Sequence, residues 1–140
     1  MQILQPPGWA RAKGFSNGIA CSGGRLVFIA GQIGWTGQGE WKEKSFAGQF
    51  RQALQNVLDV LQQARGRPEH LVRLTWYVLD KKEYLDALPE VGAAYRELMG
   101  RHYPTMAVVQ VSGLVEDQAR LEIEATAVVS EDFTRPESAI

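Results

Sequence analysis

Apolar residues recur along the chain with two different periods, and each period predicts a different kind of element. Between residues 45 and 66 they recur three or four positions apart, as on one face of a helix, at Phe46, Phe50, Ala53, Val57, Leu61 and Ala64. Ser45 is a suitable N-cap residue, and Gly66 suits the end of the helix before Pro68. The pattern therefore predicts a helix that begins after Ser45 and ends at Gly66.

Shorter patterns on both sides of this helix predict strands. Residues 14–33 indicate two short strands around a turn at 22–24, an early β-hairpin. Residues 70–80 are rich in β-branched and aromatic side chains and predict another strand. Residues 102–129 predict two strands joined by a polar loop. Residues 83–100 predict a second helix, with Pro89 close to its start or kinking it.

The element order ββ-α-β-α-ββ predicts one α+β domain over 1–140, with an irregular arm at 1–13 and a flexible polar tail at 131–140. We expect a mixed sheet with an antiparallel pair at each end and two helices on one face. The other face of the sheet is expected to be partly apolar and to be covered by self-association. The residues expected on that face are Leu26, Phe28, Val108, Ile123 and Ala125.

Composition and charge exclude several classes of function. The chain has 45% hydrophobic and 22% charged residues and a formal net charge of -1, without a basic stripe, so nucleic acid is not an expected partner. No apolar run approaches the roughly 20 residues that span a bilayer, and no signal peptide precedes the first prolines. One cysteine, Cys21, and two histidines predict neither a disulfide nor a metal site, and no cofactor is expected. A cytoplasmic location is predicted.

The ordered set of segments resembles the RidA/YjgF family, whose members are enamine/imine deaminases also called L-PSP endoribonuclease-like proteins. The matching segments are GFSNGI, LVFIAGQIGW, FAGQFRQALQNVLDVLQQA, VRLTWYVLD, VGAAYRELMGRHYP and ARLEIEATAV. They cover nearly the whole chain in order. The resemblance implies a chorismate-mutase-like subunit, and a homotrimer with a central barrel and a small-molecule cleft between neighbouring subunits.

The chain departs from the family where a polar site is expected. The resemblance assigns the arginine that holds the substrate carboxylate to the position of Met106. Side chains of the usual polar set are also replaced at four further positions, Phe15, Ala30, Gly92 and Val108. Glu122 remains, together with backbone groups around Gly31 and Gln32.

These departures predict an apolar cleft, because a buried carboxylate without a partner is costly. Met106, Phe15 and Trp35 are expected to line its wall, so hydrolysis of 2-iminopropanoate is doubtful and a larger, less acidic ligand is predicted. Arg11 or Lys13 can replace the missing cation, although cations in an N-terminal arm are more often solvated.

Three side chains each have two alternative roles. Glu122 is predicted to activate water, with a pKa raised by burial beside Met106 and Phe15, or else to pair with Arg120 or with a neighbouring subunit. His102 is either a proton shuttle or a structural loop histidine. Trp35, with Trp41, is either a lid over the ligand or part of a subunit interface. The function is accordingly either enamine/imine hydrolysis or binding of a small molecule by a regulatory trimer without chemistry.

Overall fold

The computed structural model describes residues 1–131, which contain three α-helices and six β-strands. The helices are α1 (Phe46–Gln63), α2 (Lys81–Asp86) and α3 (Leu88–Met99), and a 3₁₀ turn covers Pro68–His70. The strands are β1 (Gln2–Leu4), β2 (Gly18–Ala20), β3 (Arg25–Ile33), β4 (Leu71–Val78), β5 (Thr105–Gln110) and β6 (Leu121–Val129). Apart from Glu131, the tail predicted at 131–140 lies outside the described residues.

The main sheet has the strand order β3-β6-β4-β5. Strand β6 pairs antiparallel with both β3 and β4, whereas β4 and β5 are parallel. The sheet is therefore mixed, as the sequence predicts, and the expected α+β fold is confirmed. Strands β3 and β5 are its two edges, and the last strand of the described chain lies in its interior.

Two predicted pairings are wrong. Strand β2 does not form a hairpin with β3, because β2 pairs with β1 in a separate two-stranded sheet. The same pairing corrects the expectation of a wholly irregular arm over residues 1–13. Strands β5 and β6 are not neighbours either, because β4 lies between them. In each of the two predicted pairs, the strands are close together in the sequence. The local pattern of residues predicts that the strands form, but it does not identify the strand with which each one pairs.

Buried and more exposed residues alternate along β6, and this alternation shows which face of the sheet packs against the helices. Its odd-numbered residues, from Leu121 to Val129, are buried, and Ile123 packs in the core with residues of α1. Val108, Ile123 and Ala125 were expected on the uncovered face, and this is wrong: Ile123 and Ala125 are buried in the core and Val108 packs against it. Leu26 and Phe28 do lie exposed, at 65% and 75% of their surface.

Helix α1 begins as predicted, because the Ser45 hydroxyl accepts a hydrogen bond from the backbone N–H of Gly48. The second predicted helix is wrong in its continuity, since the chain forms α2 and α3 with a break at Ala87. Pro89 lies in the first turn of α3, where its missing N–H costs no helical hydrogen bond. Two helical segments therefore stand where one was predicted.

Candidate functional site

A cavity of about 550 Å³ opens between α3, the edge strand β5 and the N-terminal arm. Five aromatic rings contribute to its wall, together with aliphatic side chains and two cations. The lining residues are Lys13, Gly14, Phe15, Trp76, Tyr84, Leu88, Val91, Gly92, Tyr95, Arg96, Tyr103, Met106 and Val108. Four residues predicted for the site, Phe15, Gly92, Met106 and Val108, are therefore brought together around one cavity.

Strand pairing directs Met106 and Val108 into this cavity. Met106 is opposite Leu74 in the parallel register, and Val108 is opposite Trp76. Leu74 and Trp76 belong to the helix-facing side of β4, so their partners on β5 point to the same side. Since β5 is an edge strand, these two side chains stay half-buried and form one wall of the cavity.

The N-terminal arm is held against the cavity by Ser16. Its backbone N–H donates to the carbonyl of Pro104 at 3.1 Å, and its hydroxyl donates to the carbonyl of Tyr103 at 2.5 Å. Gly14 has a φ of 79°, a left-handed conformation that glycine adopts readily. The turn at Gly14 and the contacts of Ser16 bring Lys13 and Phe15 to the cavity wall.

The aromatic wall is well packed. The rings of Tyr95 and Tyr103 stack with centroids 5.5 Å apart, and Trp76 contacts Tyr84 edge-on at 6.1 Å. Burial raises the pKa of the Tyr84 hydroxyl above its ordinary value of 10.0. The indole N–H of Trp76 is buried without a hydrogen-bond acceptor in the described part of the chain. Trp76 is buried in the core, and it also lines the cavity.

Arg96 lines the cavity, and the sequence interpretation missed it. A Cβ atom on Gly92 would lie 3.4 Å from a terminal guanidinium nitrogen of Arg96, so this cation lies beside the glycine. The spacing was visible in the sequence, because residues four apart on a helix are neighbours. Lys13 also lines the cavity, which fits the suggestion that it replaces the missing cation. The described lining of the cavity therefore includes two cations, one of them a candidate from the sequence.

Glu122 does not share this cavity within one chain. It is opposite Tyr77 in the sheet register, on the face away from the helices, whereas Met106 is opposite Leu74 on the helix side. Arg120 does not pair with it either, because the guanidinium of Arg120 binds Glu83 at 2.8 Å. The expected grouping of Glu122 with Met106 and Phe15 is thus not formed inside a single subunit.

Glu122 instead lies against the edge strand β3. The register of β3 and β6 shifts between Ile29 and Gln32, where β3 contains one extra residue and forms a β-bulge. Ala30 and Gly31 lie in this bulge. A Cβ atom on Gly31 would overlap the Glu122 carboxylate, so the absence of a side chain lets the carboxylate extend over β3. Ala30, Gly31 and Glu122 form a second group of predicted site residues.

The remaining candidates lie elsewhere. Trp35 and Trp41 contact each other with centroids 5.7 Å apart, but neither lines the cavity. A ring nitrogen of His102 lies 2.6 Å from the carbonyl oxygen of Leu71, which supports a structural role. Arg11 faces a separate depression formed by the N-terminal arm and residues 101–103.

Within residues 1–131 no group of three or more histidine, cysteine, aspartate or glutamate side chains has the arrangement of a metal site. Over the same residues, no helix combines the length and the apolar character needed to cross a bilayer.

A mixed sheet with helices on one face and an aromatic cavity at its edge defines a small α+β domain with a ligand-sized cleft. The chain belongs to the RidA/YjgF family, because its residues 9–129 match the family described as Endoribonuclease L-PSP. The resemblance drawn from the sequence motifs is confirmed. Membership of this family supports a role in processing or binding a small molecule.

Individual relatives agree with this assignment. A RutC family protein of Pyrococcus horikoshii is 31% identical over 109 residues, which cover 77% of this chain and 82% of the relative. The structure of a Yersinia pestis protein of the Rid family YyfB superposes with a TM-score of 0.81 at 27% identity, over 91% of this chain and 98% of the other. The YjgF gene product of E. coli gives a TM-score of 0.64 at 29% identity, over 81% and 87%.

Proposed function

We propose that this protein processes a bulky enamine or imine, and that its site is completed by a neighbouring copy of the chain. The observation that carries this proposal is the convergence of Phe15, Gly92, Met106 and Val108 on one cavity. The family resemblance assigns these positions to the substrate. Aromatic and aliphatic walls suit a larger and less polar substrate than 2-iminopropanoate.

The sheet topology supports a composite site. One group of site residues lies at the β5 edge and the other at the β3 edge, and these are opposite edges of one sheet. If neighbouring copies place a β3 edge against a β5 edge, closure of the ring brings Glu122 of one copy towards the cavity of the next. A homotrimer would have this arrangement. The exposed Leu26 and Phe28 on the open sheet face would then be covered.

In the proposed reaction Glu122 is the general base. A proton from solvent first converts the imine to an iminium ion. The Glu122 carboxylate takes a proton from water while the water oxygen forms a bond to the iminium carbon, which gives a carbinolamine. The protonated Glu122 then gives its proton to the carbinolamine nitrogen, the hydroxyl returns a proton to solvent, the C–N bond breaks, and ammonia leaves a carbonyl product. The side chain of Glu122 has no hydrogen-bond or ion-pair partner within residues 1–131, so its carboxylate is available for this role.

An imine-hydrolysis assay tests the proposal. An amino-acid oxidase generates 2-imino acids from small and aromatic amino acids, and semicarbazide traps what the protein has not hydrolysed. We expect faster loss of the aromatic imine with the wild-type protein, and a decrease of about 10²-fold or more in Glu122→Gln. Glu124→Gln is the matched control, because Glu124 lies two residues away on the same sheet face, where it accepts a hydrogen bond from Tyr77.

Light scattering of both variants separates loss of chemistry from loss of assembly. Turnover in Glu122→Gln equal to that of the wild type would reject the role of Glu122. Equal loss in both glutamine variants would indicate a general effect of sheet charge.

A second candidate is binding without chemistry. The cavity residues within 1–131 of one chain include no aspartate, glutamate, histidine, serine or cysteine. A regulatory trimer needs only the cavity, whereas the enzyme also needs Glu122. Ligand binding that is unchanged in Glu122→Gln, together with no hydrolysis by the wild type, would favour this second function.

A further inference from the structure

The charged side chains that line the cavity are positive. Lys13 and Arg96 contribute two cations, and none of the lining residues in the described part of the chain is acidic. Both cations are exposed, so they lie at the rim, whereas Trp76 and Tyr95 are buried at the floor. An entering molecule therefore meets positive charge on one side and aromatic rings at the other.

Neither cation is neutralised by the described residues. The side chains of Lys13 and Arg96 form no hydrogen bond or ion pair within residues 1–131. By contrast, the adjacent helical residue Glu97 pairs with Arg51. Arg96 lies in the last turn of α3 without a side-chain partner within residues 1–131, so its guanidinium is available to a ligand at the rim.

Gly92 determines where this guanidinium can lie. It is one helical turn before Arg96, and its lack of a side chain leaves the cavity-facing surface of α3 open. A longer side chain at residue 92 would compete with Arg96 for this space. Gly92 stands where the family resemblance implies a polar side chain, and its lack of a side chain leaves room for the guanidinium of Arg96.

We propose that the cavity binds aromatic carboxylates, with Arg96 as the anion anchor on α3 and Lys13 as a second cation. The ring of the ligand would pack against Tyr103, Trp76 and Phe15. The carboxylate would receive paired N–H donors from the guanidinium, a fork that matches its two oxygens. This proposal rests on the small-molecule site proposed above, but not on catalysis by Glu122.

Binding of stable analogues tests the assignment. Phenylacetate and phenylacetamide have nearly the same shape and differ in charge, and acetate has the charge without the ring. Calorimetry at low ionic strength should give phenylacetate an affinity at least about tenfold higher than that of either partner, as expected for a hydrogen-bonded charge. Equal affinities for the acid and the amide would overturn the proposal, and so would no measurable binding of phenylacetate.

Substitutions at Arg96 test whether this residue is the anion anchor. Arg96→Gln should remove the preference for the acid over the amide, and Arg96→Lys should restore only part of it, because a lysine cannot form the paired contact. Arg101→Gln is the matched control, since Arg101 is exposed nearby but faces a different depression. Circular dichroism verifies that each variant folds. A preference that persists in Arg96→Gln would overturn the role of Arg96.

The two proposals fail independently. Phenylacetate binding with no imine hydrolysis would retain the anchor and reject the enzyme. Hydrolysis of aromatic imines that is insensitive to Arg96→Gln would retain the enzyme and reject the anchor.

Discussion

The carboxylate of Glu122 occupies the space that a side chain on Gly31 would need. A Cβ atom at Gly31 would lie 2.7 Å from Cδ of Glu122, well inside van der Waals contact. The two residues belong to neighbouring strands, and the β-bulge at Ala30 and Gly31 lies where they meet. The position of the proposed base therefore depends on a glycine in another strand.

Gly31→Ala should displace the Glu122 side chain. We expect a lower free energy of unfolding by less than about 1 kcal/mol, because the overlapping atoms are the end of a flexible side chain that can move aside. If Glu122 is the general base, imine hydrolysis should fall together with stability. Urea denaturation and the hydrolysis assay measure the two effects.

Gly37→Ala is the control for this substitution. Gly37 lies in the loop after β3, and a Cβ atom there would meet nothing within 4 Å. Its variant should unfold at nearly the wild-type urea concentration. An unchanged Gly31→Ala protein would show that Glu122 can leave this position without cost.

Gly92→Ala should stabilise the protein. Glycine within a helix costs about 1 kcal/mol relative to alanine, and the new Cβ atom would make an ordinary contact with Arg96 at 3.4 Å. We expect the free energy of unfolding to rise by about 0.5–1 kcal/mol in urea denaturation.

The comparison variant is Gly48→Ala, in the first turn of α1. A Cβ atom there would lie 2.9 Å from Oγ of the capping Ser45, so the same gain is not expected. Equal stabilisation by both substitutions would contradict this distinction.

Tyr95 should make stability fall at alkaline pH. Burial raises the pKa of its hydroxyl above the ordinary value of 10.0, and the hydroxyl donates a hydrogen bond to the carbonyl of His102 at 2.6 Å. The unfolded chain ionises near pH 10 while the folded protein keeps the proton. The stabilising contribution is therefore complete below that pH and is lost as the pH rises towards the folded pKa.

Urea denaturation at several pH values above and below 10.0 measures this loss. Tyr95→Phe should be less stable at neutral pH by about 1 kcal/mol, the usual value of a hydrogen bond. Its stability should depend less on pH in the alkaline range. The same slope in both proteins would assign the effect to other groups, such as Tyr84, whose pKa burial also raises.

The sequence was sufficient for features that depend on neighbours along the chain. The helical spacing from Phe46 to Leu61 and the capping of α1 by Ser45 were predicted correctly, because helical contacts are local. The hairpin predicted at residues 14–33 was wrong because strand pairing is not local. Strand β3 pairs with β6, about a hundred residues away, and only the whole sheet determines this choice.

In the candidate site, too, residues marked by local motifs were predicted and long-range relationships were not. Phe15, Gly92, Met106 and Val108 were found through their motifs and do line one cavity. Arg96 was missed because the motif positions drew attention to the lost arginine rather than to the residue one helical turn after Gly92. The separation of Glu122 from Met106 required the β4 register, which places their partners Tyr77 and Leu74 on opposite faces.

The interior position of β6 has a consequence for biosynthesis. Both neighbours of β6, the strands β3 and β4, are synthesised before Leu121 is added. Until residues 121–129 are made, β3 and β4 lack the strand that lies between them, and the sheet against which α1 packs is incomplete. The central pairings of the sheet therefore form after those of its edge pair β4 and β5 become possible.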